Sequence, residues 1–472
     1  MRNLTRRKLL ATAGVGALGV AGAAALGGCG ETQVVEVEKV VTVEVEKVVE
    51  KIVTQEAMPA QIERTEIVFW DWWSPSANVI NEAWFDWLKE NYSKEHPGGS
   101  YRLQVVPFGE LPVKFQAAVA SGDVPDVIHF SNSWSWDFFR FGALRPLNDL
   151  AKTRPDIDID AHFPVTAFYA VHKGDLVGIP FEGPDSEITM YNTDMFTEAG
   201  LDPDPNVVKN WTWDDFDDAA AKLTIRSGDE IDRGGYLVKV PDPRHFAVWM
   251  YTQNGSLYTE LHDGFDINNE KGLNVFNHLL KLLYEDKVSL PLVQGRNNMN
   301  EFLTSKTAMF QAGTWNVGSI EGDVPGFPFD IMPYPAHPDG GSPAVATWMN
   351  MLGIPAKAEK NLDQAWEFIA WYTDMERSLK RLQIQNKTST LLAFYETPEW
   401  KISVANLPQL QRIVDVAEVG GERPGRARTE LEPAIRPFWE AVMLQEMSPE
   451  EGLQQITDTV KPILEESSKV ET

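Results

Sequence analysis

Between Glu66 and Phe130 the chain alternates strand and helix patterning, and that succession limits its fold more than any other feature. Glu66-Ile67-Val68-Phe69-Trp70 reads as a buried strand, and Asn78 to Glu95 places Ile80, Trp84, Trp87 and Leu88 at helical spacing. A second strand is predicted at Tyr101 to Val106, then a helix with Phe115, Ala118 and Val119 on one face, then a third strand at Pro125 to Phe130. This β-α-β-α-β order predicts a mostly parallel sheet covered by helices, in which ligands bind beyond the carboxyl ends of the strands. The loops after Phe69 and Phe130 are therefore the places to look for function. From Thr65 onward the chain is long enough for two lobes with separate cores.

Those two loops are rich in tryptophan. The chain holds 16 Trp, with Trp72 and Trp73 after the first strand and Trp134 and Trp136 after the third. An indole offers a flat apolar face to the C–H face of a sugar ring while its N–H still donates a hydrogen bond. Carbohydrate is the ligand these loops suggest, with Asn132 and Ser133 as polar partners. Trp84, Trp87, Trp366 and Trp371 stand at helical spacing beside other apolar residues and read as core.

Further along, the residues carry a likeness. Ile67-Val68-Phe69-Trp70, Ala118 to Val127, Gly142-Ala143-Leu144-Arg145-Pro146-Leu147, Gly178-Ile179-Pro180, Met190 to Phe196 and Asn210 to Phe216 occur in order. Met309 to Trp315, Leu352-Gly353-Ile354-Pro355, Ala365 to Phe368 and Ser448 to Leu453 follow them. Together they resemble family 1 extracellular solute-binding proteins, the maltose-binding-protein-like receptors of ABC importers. The resemblance implies a periplasmic-binding-protein-like α/β fold, in which two α/β lobes are joined by crossover hinge strands and hold ligand in the cleft between them. Lobe one would comprise 65–186 plus 351–395 and lobe two 187–350 plus 396–472, with crossovers near Glu182 to Met190 and Thr347 to Gly353. Hinge closure over the ligand is the motion such a fold uses.

The same resemblance implies the candidate residues of lobe two and the hinge. Trp315, after Met-x-x-x-Gly, projects into the cleft in that family, and Trp249, Trp439 and Trp348 occupy segments that border it. Glu182 and Asp185 lie where the family places a carboxylate for sugar hydroxyls, and His245 is positioned to reach from lobe two. A buried hydroxyl left unpaired costs about 1–3 kcal/mol, so such groups set orientation. The implied activity is capture of a sugar, an oligosaccharide above all, by a monomer that delivers it to ABC permease subunits. Two alternatives stay open: a lipid-anchored glycoside hydrolase, and a receptor for a non-sugar solute such as a glycerol phosphate or an amine. Arg423, Arg426 and Arg428 would matter for a charged ligand.

Cys29 is the only cysteine. It follows Leu26-Gly27-Gly28, behind an apolar stretch and the basic residues Arg2, Arg6, Arg7 and Lys8, as at a bacterial lipoprotein attachment site. Thr5-Arg6-Arg7-Lys8-Leu9-Leu10 resembles a twin-arginine export signal. Residues 1–28 read as signal peptide and 29–64 as lipid anchor and low-complexity linker, where Val35-Glu36-Val37-Glu38-Lys39-Val40-Val41-Thr42 is nearly repeated by the eight residues after it. The expected location is the outer face of the cytoplasmic membrane, held there only by the lipid.

With a net charge of −27 the chain would repel phosphate backbones, which argues against a nucleic-acid partner. One cysteine and 8 scattered histidines offer no visible zinc ligand set. No G-x-S-x-G, H-E-x-x-H or Walker-type phosphate loop occurs after Cys29. Neither a metal nor a cofactor is expected.

Overall fold

The computed structural model describes residues 65–261, 263–293, 296–419 and 428–469. Cys29, the leader and the 29–64 linker lie outside the described residues, as do Arg423, Arg426 and the side chain of Arg428.

The strands are β1 (Thr65–Asp71), β2 (Gly99–Val105), β3 (Val127–Ser131), the short pair β4 (Val171–His172) and β5 (Asp175–Leu176), and the long β6 (Ile179–Asn192). Then come β7 (Ile225–Ser227), β8 (Glu230–Leu237), β9 (Thr307–Gly313), β10 (Phe329–Met332) and β11 (Ala346–Gly353). All but β4 and β5 form one nine-stranded sheet in the order β2-β1-β3-β11-β6-β9-β8-β7, with β10 paired to β6. The expected parallel pairing is found between β1 and β2, β1 and β3, and β8 and β9. Elsewhere the sheet is antiparallel, because β6 and β11 cross from one lobe to the other in opposite directions.

These two crossovers fix the site. The first half of β6 and the last half of β11 belong to lobe one, where Asn350 to Gly353 pair with β3. The second half of β6 pairs with β9 and β10 in lobe two. All 14 residues of β6 are buried, as expected of a strand covered on both faces. Gly183 sits at the crossing with φ 132°, and a Cβ there would stand 3.1 Å from both Met349 Cβ and the Trp348 carbonyl, so only glycine lets the two crossovers approach this closely.

Local sequence explains the flanking helices. Asn78 caps Val79–Glu95 by accepting from the Asn81 N–H, and Ile80, Trp84, Phe85, Leu88 and Tyr92 form its buried stripe. Asp242 caps Pro243–Tyr251 by accepting from the Arg244 and His245 N–H groups, with Pro243 in the first turn. One core joins β1, β3, Val79–Glu95 and Leu362–Thr373. A second lies in lobe two around Trp213, Trp249, Tyr334 and Trp439. A third gathers Leu382 and Phe394 with Ile188, Phe310 and Ile331, which joins the last part of 351–395 to the second half of β6 and to β9 and β10.

The helix Asn132–Arg140, which follows β3, is tied to the start of the helix Arg428–Met443. Arg140 donates from Nη2 to both carboxylate oxygens of Glu430, at 2.9 and 2.7 Å, and the Thr429 hydroxyl donates to Asp137 at 3.2 Å. Burial pushes the Asp137 carboxyl up to about 6 against these donors.

Candidate functional site

β6 presents three buried carboxylates, Glu182, Asp185 and Glu187. A buried charge is costly unless paired, so their partners define the local chemistry. Glu182 faces Arg381 and Lys387, each at 3.0 Å. Glu187 faces Arg244 at 3.1 Å and His245 at 3.3 Å; burial works to raise its pKa, but the Arg244 guanidinium foremost, with the His245 ring beside it, outweighs burial and holds the carboxyl below its usual value. Asp185 accepts a hydrogen bond from the Thr314 hydroxyl at 2.9 Å. Burial pushes it up to about 6, with Glu182 and Glu187 adding to the rise and Lys387 and the Thr314 bond opposing it. Across the crossovers its register partner is Trp348, so a carboxylate and an indole share one face.

Lys387 gathers the elements around this point. Besides Glu182, its ammonium lies 3.3 Å from the Trp315 carbonyl of lobe two and 5.0 Å from the Trp73 ring of lobe one. Arg381 sits beside it, 5.4 Å from Trp73, 4.6 Å from Trp84, 4.5 Å from Phe181 and 4.8 Å from Tyr372, whose hydroxyl it also meets. On the lobe-two side, Arg244 lies 5.4 Å over Trp348 and pairs with Asp242 at 2.8 Å.

Of the sequence-derived candidates, Trp73, Glu182, Asp185, Trp315 and Trp348 converge here, and Trp72 adjoins them through an edge contact to Trp73. His245 also lies close, 3.0 Å from Asp242 and with Lys239 Nζ 2.8 Å from its Nε2. Glu182 is committed to two cations, which leaves Asp185 as the carboxylate of the pair with a hydroxyl for its hydrogen-bond partner. Asn132 spends its Oδ1 on the Met349 N–H, and Ser133 donates to Ser131. Trp134 packs into the core of lobe one against Phe108 and Phe138. Trp136 turns away toward the Ser467 hydroxyl at 3.4 Å. Trp249 and Trp439 are each 1% exposed, the first edge-on to Trp213 and Tyr334, the second stacked on Phe246. Both belong to the lobe-two core.

The Met-x-x-x-Gly-x-Trp spacing has a steric cause. A Cβ at Gly313 would fall 2.2 Å from three ring atoms of Trp315, so glycine lets the indole lie on the end of β9. Gly313→Ala should expel the ring and weaken ligand binding about tenfold, visible as a shift in tryptophan emission and a raised Kd in calorimetry.

Sequence reasoning missed Arg381, Lys387, Arg244, Asp71 and His129. Among the described residues no three or more His, Cys, Asp or Glu are grouped to hold a metal ion, and no helix is long and apolar enough to cross a membrane.

Comparison with known proteins decides the family. The profile described as bacterial extracellular solute-binding protein matches residues 87–409. The chain belongs to this family. Among curated relatives of this solute-binding protein is a binding protein of Brucella abortus strain 2308, 23% identical over 294 residues, covering 61% of this chain and 67% of the relative. The sn-glycerol-3-phosphate-binding periplasmic protein UgpB of Escherichia coli K12 is 26% identical over 211 residues, 43% of this chain and 44% of its own. Among solved structures, the GacH receptor of Streptomyces glaucescens, described unliganded and with acarbose, is 25% identical with a TM-score of 0.73, covering 85% of this chain and 98% of its own. The maltose/maltodextrin-binding domain MalE of Bdellovibrio bacteriovorus, bound to maltotriose, is 19% identical with a TM-score of 0.69, covering 85% and 100%; at that identity the likeness shows the shared two-lobed fold.

For the solute-binding protein, the raised Asp185 carboxyl has a sign that experiment can read. Its folded pKa, about 6, lies above the 3.8 of an unburied carboxyl, so between these values the native state binds more protons than the unfolded chain. Asp185 therefore opposes folding at neutral pH, and that opposition fades as pH falls from about 6 toward 4. Asp185→Asn, which keeps an acceptor for Thr314, should raise the melting temperature at pH 7, and the gain should shrink across that window.

Proposed function

We propose that this protein captures an uncharged oligosaccharide between its lobes and delivers it to an ABC permease, making and breaking no bond. The carrying observation is the placement of Asp185 beside Trp348, with Trp73 from lobe one and Trp315 from lobe two meeting around Lys387. A carboxylate that accepts hydroxyl hydrogens beside flat indole faces is the chemistry a sugar ring needs. The solved relative described with acarbose supports the ligand class. The charge balance supports neutrality: Arg244, Arg381 and Lys387 each face a buried carboxylate, so a phosphate would have to compete for them. The leader sequence and Cys29 support a lipid-anchored protein outside the cytoplasm.

The test is a thermal-shift and calorimetric comparison of maltotriose, mannobiose and sn-glycerol 3-phosphate, with chromatography of the recovered sugars. The expected result is a raised melting temperature with an intact oligosaccharide. Stabilisation by sn-glycerol 3-phosphate alone would replace the sugar reading, and new sugar products would replace the receptor reading. Cys29→Ala should move the protein from the membrane to the soluble fraction with ligand affinity unchanged.

A further inference from the structure

Asp71 ends β1 and His129 lies in β3, and both are fully buried, at 0% exposure. His129 donates from Nδ1 to Asp71 Oδ1 at 2.7 Å. The same carboxylate oxygen accepts the Trp73 N–H at 2.8 Å. The imidazole stacks on the Trp72 indole at 3.6 Å between centroids and 26° between planes, meets Trp73 edge-on at 5.3 Å, and touches Phe181 of β6 at 5.0 Å. One buried pair thus holds the backbone of the strand-end loop, the plane of its first indole and the edge of its second.

The pair is expensive. Asp71 Oδ2 and His129 Nε2 have no hydrogen-bond partner, a cost an apolar filling of the same space would avoid. Packing alone is served elsewhere in this core by apolar side chains such as Phe69, Phe115 and Leu88. What the polar pair adds is direction: a stack and two charge-assisted bonds allow one arrangement of the loop, where apolar contact would allow several.

We propose that Asp71 and His129 are positioning residues that set Trp72 and Trp73 for ligand, an inference that rests on these indoles lining the cleft. Pre-set aromatic platforms bind more tightly because less freedom is lost on binding. The effect passes through the indoles, so neither residue needs to touch the sugar.

The test compares His129→Asn, which keeps a donor for Asp71 and loses the ring, with His129→Phe, which keeps the ring and loses the donor. Leu88→Ala serves as a control that loosens the same core elsewhere. Near-ultraviolet circular dichroism of the unliganded protein reads the coupled indoles directly. Both His129 variants should lose the Trp72-dependent band, defined by Trp72→Phe, and weaken maltotriose about tenfold, while Leu88→Ala lowers the melting temperature with band and affinity kept. A band unchanged in both His129 variants would overturn the proposal. So would a band lost equally in Leu88→Ala. Should Trp72→Phe and Trp73→Phe bind maltotriose as the wild type does, the cleft reading fails, and the unliganded band still decides whether the pair sets the indoles.

Discussion

Glu182→Ala should cost the protein about 3–5 kcal/mol of stability, the usual penalty for removing one partner of a buried ion pair. The carboxylate is fully buried between Arg381 and Lys387, which are themselves 3% and 9% exposed at the side chain, so solvent cannot screen the cations left behind. Arg381 has aromatic rings around it, but that cation–π attraction is present with or without Glu182 and does not replace the lost carboxylate. Lys387 has Asp185 near enough to lower that group's pKa, so Asp185 should take over as counter-ion and titrate lower in the variant. Urea unfolding at pH 7 measures the first effect, and the pH dependence of stability the second. Glu182→Gln, with shape and acceptor kept, should lose less. Adding Arg381→Met to Glu182→Ala should recover part of the deficit, because it removes a stranded charge. A loss under 1 kcal/mol in Glu182→Ala would show that the hinge network is solvated and does not set how the lobes meet.

The hinge network was the part least visible in the sequence. Strands and helices of lobe one could be read because their signals are local: Asn78 caps its helix, and Ile80, Trp84 and Leu88 repeat at helical spacing. The family resemblance points to Trp315 through the Met-x-x-x-Gly that precedes it, and the structure adds its close packing on Gly313 two residues earlier. Arg381 and Lys387 carry no such mark. Their partner Glu182 lies about two hundred positions away, and the pairing exists only because β6 and β11 bring the segments together. Trp249 and Trp439 were hard to place for the complementary reason: an indole on an amphipathic helix has the same spacing whether its face meets a cleft or a core, and only the structure shows that these two pack among Trp213, Tyr334 and Phe246. Asp71 left a faint sign, a carboxylate ending a buried strand just before two tryptophans, where an acceptor for the loop's N–H groups is needed. His129 left none, since an imidazole in the middle of an apolar strand is equally at home as filling.

Trp315→Ala should weaken binding of an oligosaccharide by about 2–4 kcal/mol, the range for a central aromatic anchor, equivalent to roughly 30- to 700-fold in Kd. The size follows from where the residue sits. Its backbone carbonyl meets Lys387 and its ring lies on the end of β9, so its side chain is fixed before ligand arrives. Ligand must favour the closed arrangement by as much as it prefers that arrangement to the open one. On the proposed reading, an indole contributed by lobe two contacts a sugar held by lobe one only once the lobes close, so its removal should take away part of the closing drive as well as contact area. Calorimetry with an oligosaccharide that the wild type binds gives the Kd, and the heat-capacity change should become less negative as apolar burial is lost. Trp249→Ala is the discriminating comparison. As a core residue it should cost about 3–5 kcal/mol of stability, with a much smaller change in Kd once measured well below its melting temperature. The reverse pattern, affinity lost at Trp249 and kept at Trp315, would place the sugar among the side chains that pack around Trp213 and Tyr334 and would overturn the site proposed around Asp185, Trp348 and Lys387.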